Sequence, residues 1–152
     1  MDVTGEQIIG ADRDAVWAAL NDPAVLMACI PGCESLDAVA DNRFEANVLA
    51  KIGPVKARFS TAIELCDVRP PVSYTLVGEG KGGAAGFARG SASVELEEHA
   101  EGTLLRYTAA IQSGGKLAQV GARLLGGTVR KLSEQFFTRF AEHMHGGPAN
   151  DA

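Results

Sequence analysis

The run Gly78-Glu79-Gly80-Lys81-Gly82-Gly83 satisfies the pattern G-x-G-x-x-G letter for letter. That pattern serves pyrophosphate binding, in which glycines let the backbone approach the phosphates and a helix opens on the last of them. The residues that follow, Ala84 to Glu98, alternate like a strand, so the run reads as a hairpin tip beside a pocket mouth instead. A Walker loop is also excluded, because Lys81 is followed by Gly and no Gly stands five residues before Gly80.

Nucleophile and metal chemistry find little to work with. Cys29, Cys33 and Cys66 are odd in number and lack C-x-x-C spacing, and His99, His143 and His145 do not complete a zinc pattern. The thiols are expected to be buried or half-buried in a reducing compartment. Neither G-x-S-x-G nor H-E-x-x-H occurs, and Glu45, Glu64, Glu95 and Glu97 fall on the polar phase of strands, where carboxylates are solvated. The reading is therefore a non-enzyme, with no catalytic residue and no metal ligand assigned.

Binding chemistry remains, and the elements that would position it are legible. Phe44, Ala46, Val48, Ala50 and Ile52 alternate with polar residues, Gly53-Pro54 turns the chain, and Val55 to Leu65 alternates again. Val72–Val77, Ala88–Glu98 and Thr103–Gln112 repeat the pattern; with a first strand over Val3–Ile9 they predict about seven strands joined mostly by hairpin-length loops. Asp12 and Asp22-Pro23 are the N-terminal signals of two short helices after the first strand. From Leu117 to about His145 the period becomes 3.6, predicting a helix roughly 43 Å long. Gly121, Gly126 and Gly127 in its first half each cost on the order of 1 kcal/mol, as expected where the helix bends or a ligand comes close.

An antiparallel sheet and one long amphipathic helix bury both apolar faces when the sheet wraps around the helix. The expectation is an α+β helix-grip fold: a single domain over 1–146 and a tail over 147–152. Phe44, Ala46, Phe59, Thr61, Tyr74 and Leu76 would face inward from the strands, as would Ala92, Tyr107 and Ala109. Leu117, Val120, Gly121, Leu124 and Leu125 would meet them from the helix. These are the candidate ligand-binding residues, with Thr61, Tyr74 and Tyr107 as the placed polar groups.

Composition points the same way. The 152 residues include 24 Ala and 18 Gly but only nine aromatics, so space that large side chains usually fill is closed by near backbones or left as a cavity. The net charge of −5 argues against nucleic acid as a partner. Charge is uneven, however: residues 1–112 carry −7, whereas 113–145 carry +3, including Arg123, Arg130 and Lys131. Such a segment could dock on an acidic partner or an anionic lipid surface. There is no secretory leader pattern and no apolar run near the ~18 residues a spanning helix needs, so a cytoplasmic location is expected.

Several pieces taken together resemble the CoxG family, the G subunit of carbon monoxide dehydrogenase, within the START/Bet v 1-like (SRPBCC) helix-grip superfamily. They are Val16-Trp17, Leu20-Asn21-Asp22-Pro23, Cys29-Ile30-Pro31-Gly32-Cys33-Glu34, Lys51-Ile52-Gly53-Pro54-Val55-Lys56-Ala57, Gly78-Glu79-Gly80, Gly115 to Leu124, and Phe136-Phe137. The resemblance implies a non-catalytic accessory protein of molybdenum hydroxylases of the CO dehydrogenase type, which helps bring the enzyme to the inner face of the cytoplasmic membrane. It also implies a lipophilic ligand, a quinone being the leading candidate, with no covalently bound cofactor. Some members continue past the long helix into a linker and membrane-anchoring tail, whereas this sequence stops at Ala152; a peripheral or shuttle-like role is therefore expected. Two alternatives stay open from the residues alone: a ligand-free adaptor acting through the basic helix face, and a small-molecule enzyme using the same pocket.

Overall fold

The computed structural model describes residues 2–145, so the expected tail over 147–152, and Gly146 before it, lie outside the described residues. The elements are β1 (Asp2–Ile9), α1 (Arg13–Leu20), α2 (Pro23–Cys29), β2 (Cys33–Ala40), β3 (Arg43–Ile52) and β4 (Val55–Arg69), followed by β5 (Ser73–Lys81), β6 (Phe87–His99), β7 (Gly102–Gly114), α3 (Lys116–Gln119) and α4 (Ala122–His145). The seven strands form one sheet in the order β1-β7-β6-β5-β4-β3-β2. Every neighbouring pair is antiparallel.

Local chemistry sets the boundaries. Asp12 Oδ1 accepts a hydrogen bond from the Ala15 amide (2.8 Å) to start α1, and Asp22 Oδ1 accepts one from the Ala24 amide (2.9 Å) to start α2, with Pro23 in its first turn. The buried Thr103 hydroxyl donates to the Ala11 carbonyl at 2.8 Å and ties the start of β7 to the loop before α1.

Two expectations change. The C-terminal helix is not continuous from Leu117: α3 ends at Gln119, and Gly121, at φ +91°, separates it from α4. The left-handed backbone at Gly121 breaks the helix while the apolar stripe runs on across the gap. The glycine run is likewise not all turn. Gly78 and Gly80 are strand residues of β5, paired with Gly90 and Ala88 of β6, and the reversal is confined to 82–86 around a 3-10 turn at Gly83–Ala85.

α4 reaches both β1 at one edge and β3 near the other, so the sheet wraps around it. The space so enclosed is divided unequally. One half is packed by Ile9, Val16, Leu20, Phe44, Tyr74, Leu96, Leu105 and Phe140, with Trp17, Tyr107, Phe136 and Phe137 against them. Trp17 meets Tyr74 edge-on at 5.5 Å, and Phe136 joins Phe137 at 4.9 Å and Phe140 at 6.1 Å. The other half holds a smaller cluster of Ile52, Phe59, Ala85, Leu117 and Leu125. Seven of the nine aromatics thus fill one end, leaving only Phe59 and Phe87 for the other.

Candidate functional site

At the end poor in aromatics the inner face of the sheet is built from small residues. In register across the sheet lie Ala50 against Ala57, Thr61 against Gly80 and Ala88, and Gly78 against Gly90. These rows cannot reach the helix above them, and a cavity of about 290 Å³ is left. Its walls are Val48, Ala50, Ile52, Phe59 and Thr61 from β3 and β4, glycines with Glu79, Ala88 and Arg89 from β5 and β6, and Ile111 from β7. Leu117 of α3 and Leu125, Val129 and Leu132 of α4 form its roof. An apolar cavity of about 150 Å³ accepts benzene, so this one has room for a larger ring system or a ring with part of a chain.

The candidate residues divide into three groups. Phe59, Thr61, Leu117 and Leu125 line the cavity. Phe44, Ala46, Tyr74, Leu76 and Tyr107 belong to or pack on the filled half of the core, while Ala92 and Ala109 face inward without reaching the cavity. Val120 and Leu124 lie on an outward depression of the helix with Arg123, Gly127, Thr128 and Lys131, and a side chain at Gly121 would meet nothing within 4 Å. The further lining residues Val48, Ala50, Ile52 and Ile111 share the period-2 phase of those expected. Gly78 and Gly80 carried a signal too, but one that reads as a turn.

Two ionisable residues, Glu79 and Arg89, border this space, and both also line the groove on the outer face of the sheet. The one side-chain hydroxyl on the wall is that of Thr61, which donates to the Phe59 carbonyl at 3.4 Å. Tyr74 is deeply buried, and burial pushes its phenol far above the usual range, so it stays protonated. Burial also raises the Tyr107 phenol, helped by Glu134 and opposed by Arg130, in a separate cleft between β1 and α4. The thiol of Cys29 is raised by burial as well, with Arg139 opposing. All three cysteines are free, and among the described residues no group of three or more His, Cys, Asp and Glu could hold a metal ion.

A wider groove of about 810 Å³ crosses the outer face of the sheet. Its walls include Arg43, Glu45, Glu64, Glu79 and Arg89, with Arg43 and Glu64 paired at 2.8 Å. It is a charged surface, whereas the inner cavity, open on one side, is lined mostly by hydrocarbon. No helix among the described residues is long and apolar enough to cross a membrane.

Comparison with known proteins agrees with this geometry. Residues 5–145 match the family model for CoxG, the G subunit of carbon monoxide dehydrogenase. A conserved protein from Geobacillus kaustophilus of known structure is 32% identical and superimposes with a TM-score of 0.89 over 96% of each chain. A protein from Thermus thermophilus is 18% identical, with a TM-score of 0.72 over 97% of this chain and 99% of its own. Ara h 8.0201, a Bet v 1-like protein, has the same TM-score at 13% identity, over 97% of this chain and 99% of its own, and so shares the fold. No curated protein matches the chain in sequence.

Proposed function

Because the chain belongs to the CoxG family, the G subunit of carbon monoxide dehydrogenase, we propose that it is a non-catalytic accessory protein that binds a lipophilic ligand in the cavity between sheet and helix. The observation that carries this reading is the hollow itself: it is lined by Ala50, Ile52, Phe59, Ile111, Leu117 and Leu125 and offers one hydroxyl, Thr61. Such a site favours a flat apolar ring with few hydrogen-bonding groups. A quinone meets that description, and the partner that would use it is a molybdenum hydroxylase of the CO dehydrogenase type, met at the inner face of the cytoplasmic membrane. The protein's part is to desolvate the ring against hydrocarbon and to present Thr61 to a carbonyl.

The test is direct. Organic extracts of the purified protein are analysed by mass spectrometry, and the emptied protein is titrated with a detergent-solubilised quinone. A co-purifying or retained quinone supports the reading. A protein that is empty as isolated and takes up none rejects it.

A further inference from the structure

The cavity-bearing end of the molecule is also its basic end. The β3–β4 hairpin carries Lys51 and Lys56 opposite each other beside its Gly53-Pro54 turn. Leu124 of α4 rests on that turn, close enough that any side chain at Gly53 would overlap it. Leu124 is nonetheless 43% exposed, and with Val120 it forms a shallow apolar depression flanked by Arg123 and Lys131. Lys116 opens α3 nearby. None of Lys51, Lys56, Lys116, Arg123 and Lys131 has an ion-pair partner among the described residues.

The opposite end is acidic. Asp12 and Asp14 stand at the start of α1, Asp41 at the β2–β3 turn, and Glu97, Glu98 and Glu101 around the β6–β7 turn. A chain of net charge −5 therefore sets these five cations around one exposed apolar patch, next to the helices that roof the cavity. The third basic residue of the expected helix face, Arg130, is turned away into the cleft beside Tyr107.

We infer that this end docks on an anionic lipid bilayer, with Lys51, Lys56, Lys116, Arg123 and Lys131 on the headgroups and Leu124, Val120 and Pro54 against the acyl boundary. Charge complementarity selects this occupant: anionic headgroups attract a cationic rim, and the apolar centre gains by leaving water. A rim of like charge repels a second copy of the chain at the same patch. The inference rests on the proposed lipophilic ligand for its purpose, since it places the cavity roof at the membrane surface; its geometry stands without that ligand.

Vesicle flotation decides it. Wild-type protein is expected to float with vesicles of phosphatidylcholine mixed with phosphatidylglycerol, to stay down with phosphatidylcholine alone, and to be released by salt. Lys51→Glu with Lys56→Glu should lower partitioning on the order of tenfold or more. Leu124→Asp should lower it at low salt as well. Arg123→Glu and Arg69→Glu change the net charge equally, and only the former, at the docking end, should weaken flotation. Circular dichroism checks that each variant is folded. Wild-type protein that ignores anionic vesicles, or folded variants that float as wild type, overturns the inference. Quinone uptake from detergent without flotation would reject docking alone, and flotation without quinone uptake would reject the ligand alone.

Discussion

Tyr107 of β7 stacks on Phe137 of α4, with ring centroids 4.7 Å apart and planes 20° from parallel. The stack pins the helix to the sheet on the side away from the cavity, and it depends on Gly5 of β1. Gly5 pairs with Tyr107 in the sheet, and a methyl group at Gly5 would overlap the phenol ring and its hydroxyl.

Gly5→Ala should therefore lower stability by about 1–3 kcal/mol, the usual cost of overpacking a fixed side chain. In a Tyr107→Leu background the same change should cost much less, because the ring it displaces is gone. A double-mutant cycle from urea unfolding measures the difference; equal costs in both backgrounds would refute the steric link.

Ala88 lies on the cavity wall, opposite Gly80 of β5 and close to the row that includes Thr61. Ala88→Leu should place three further carbons in the hollow, beside the Phe59, Leu117 and Leu125 cluster that Ala88 packs on, and weaken quinone uptake tenfold or more while the protein stays folded. Ala62→Leu, on the outer face of β4, should leave uptake as it was. Titration of both variants with the same quinone, alongside their unfolding midpoints, tests the placement of the site.

These residues also mark how far the sequence could be read. The period-2 phase assigned every inward strand position named as a candidate, from Phe44 to Ala109, because a pleated strand offers two faces and one must be apolar. The phase could not say which inward positions are filled. That depends on α1 bringing Trp17 onto Tyr74 and on α4 bringing Phe136, Phe137 and Phe140 to the same end, contacts between residues 57 or more positions apart or supplied by the helix register. Gly121, Gly126 and Gly127 marked a bend in the sequence, but which of them interrupts the helix was hidden for a related reason. The apolar stripe is continuous across Leu117, Val120 and Leu124, and a positive φ leaves no trace in a hydrophobic pattern.

Thr61→Val keeps the shape of the wall and removes the one side-chain hydroxyl on it. Its present hydrogen bond, to the Phe59 carbonyl at 3.4 Å, is long, so the hydroxyl can turn to a ligand at little cost. Loss of one neutral hydrogen bond predicts quinone affinity lower by roughly two- to tenfold, with little change in the unfolding midpoint. An affinity equal to wild type would mean that the carbonyls of the ligand lie elsewhere.

Alkaline pH should destabilise the fold through its buried neutral acids. Tyr74 is raised from its usual 10.0, and Cys29 from 9.0, in both cases first by burial. Below the unfolded values both groups keep their protons in either state and contribute no pH dependence. As pH rises past about 9 and then 10, the unfolded chain releases protons that the native protein retains. Stability then falls, by up to about 1.4 kcal/mol per pH unit for each group. Urea midpoints measured between neutral pH and pH 11 should decline above pH 9, and Tyr74→Phe should flatten the part of the decline above pH 10. A Tyr74→Phe profile parallel to wild type across that range would show that the phenol ionises as freely in the native protein as in the unfolded chain.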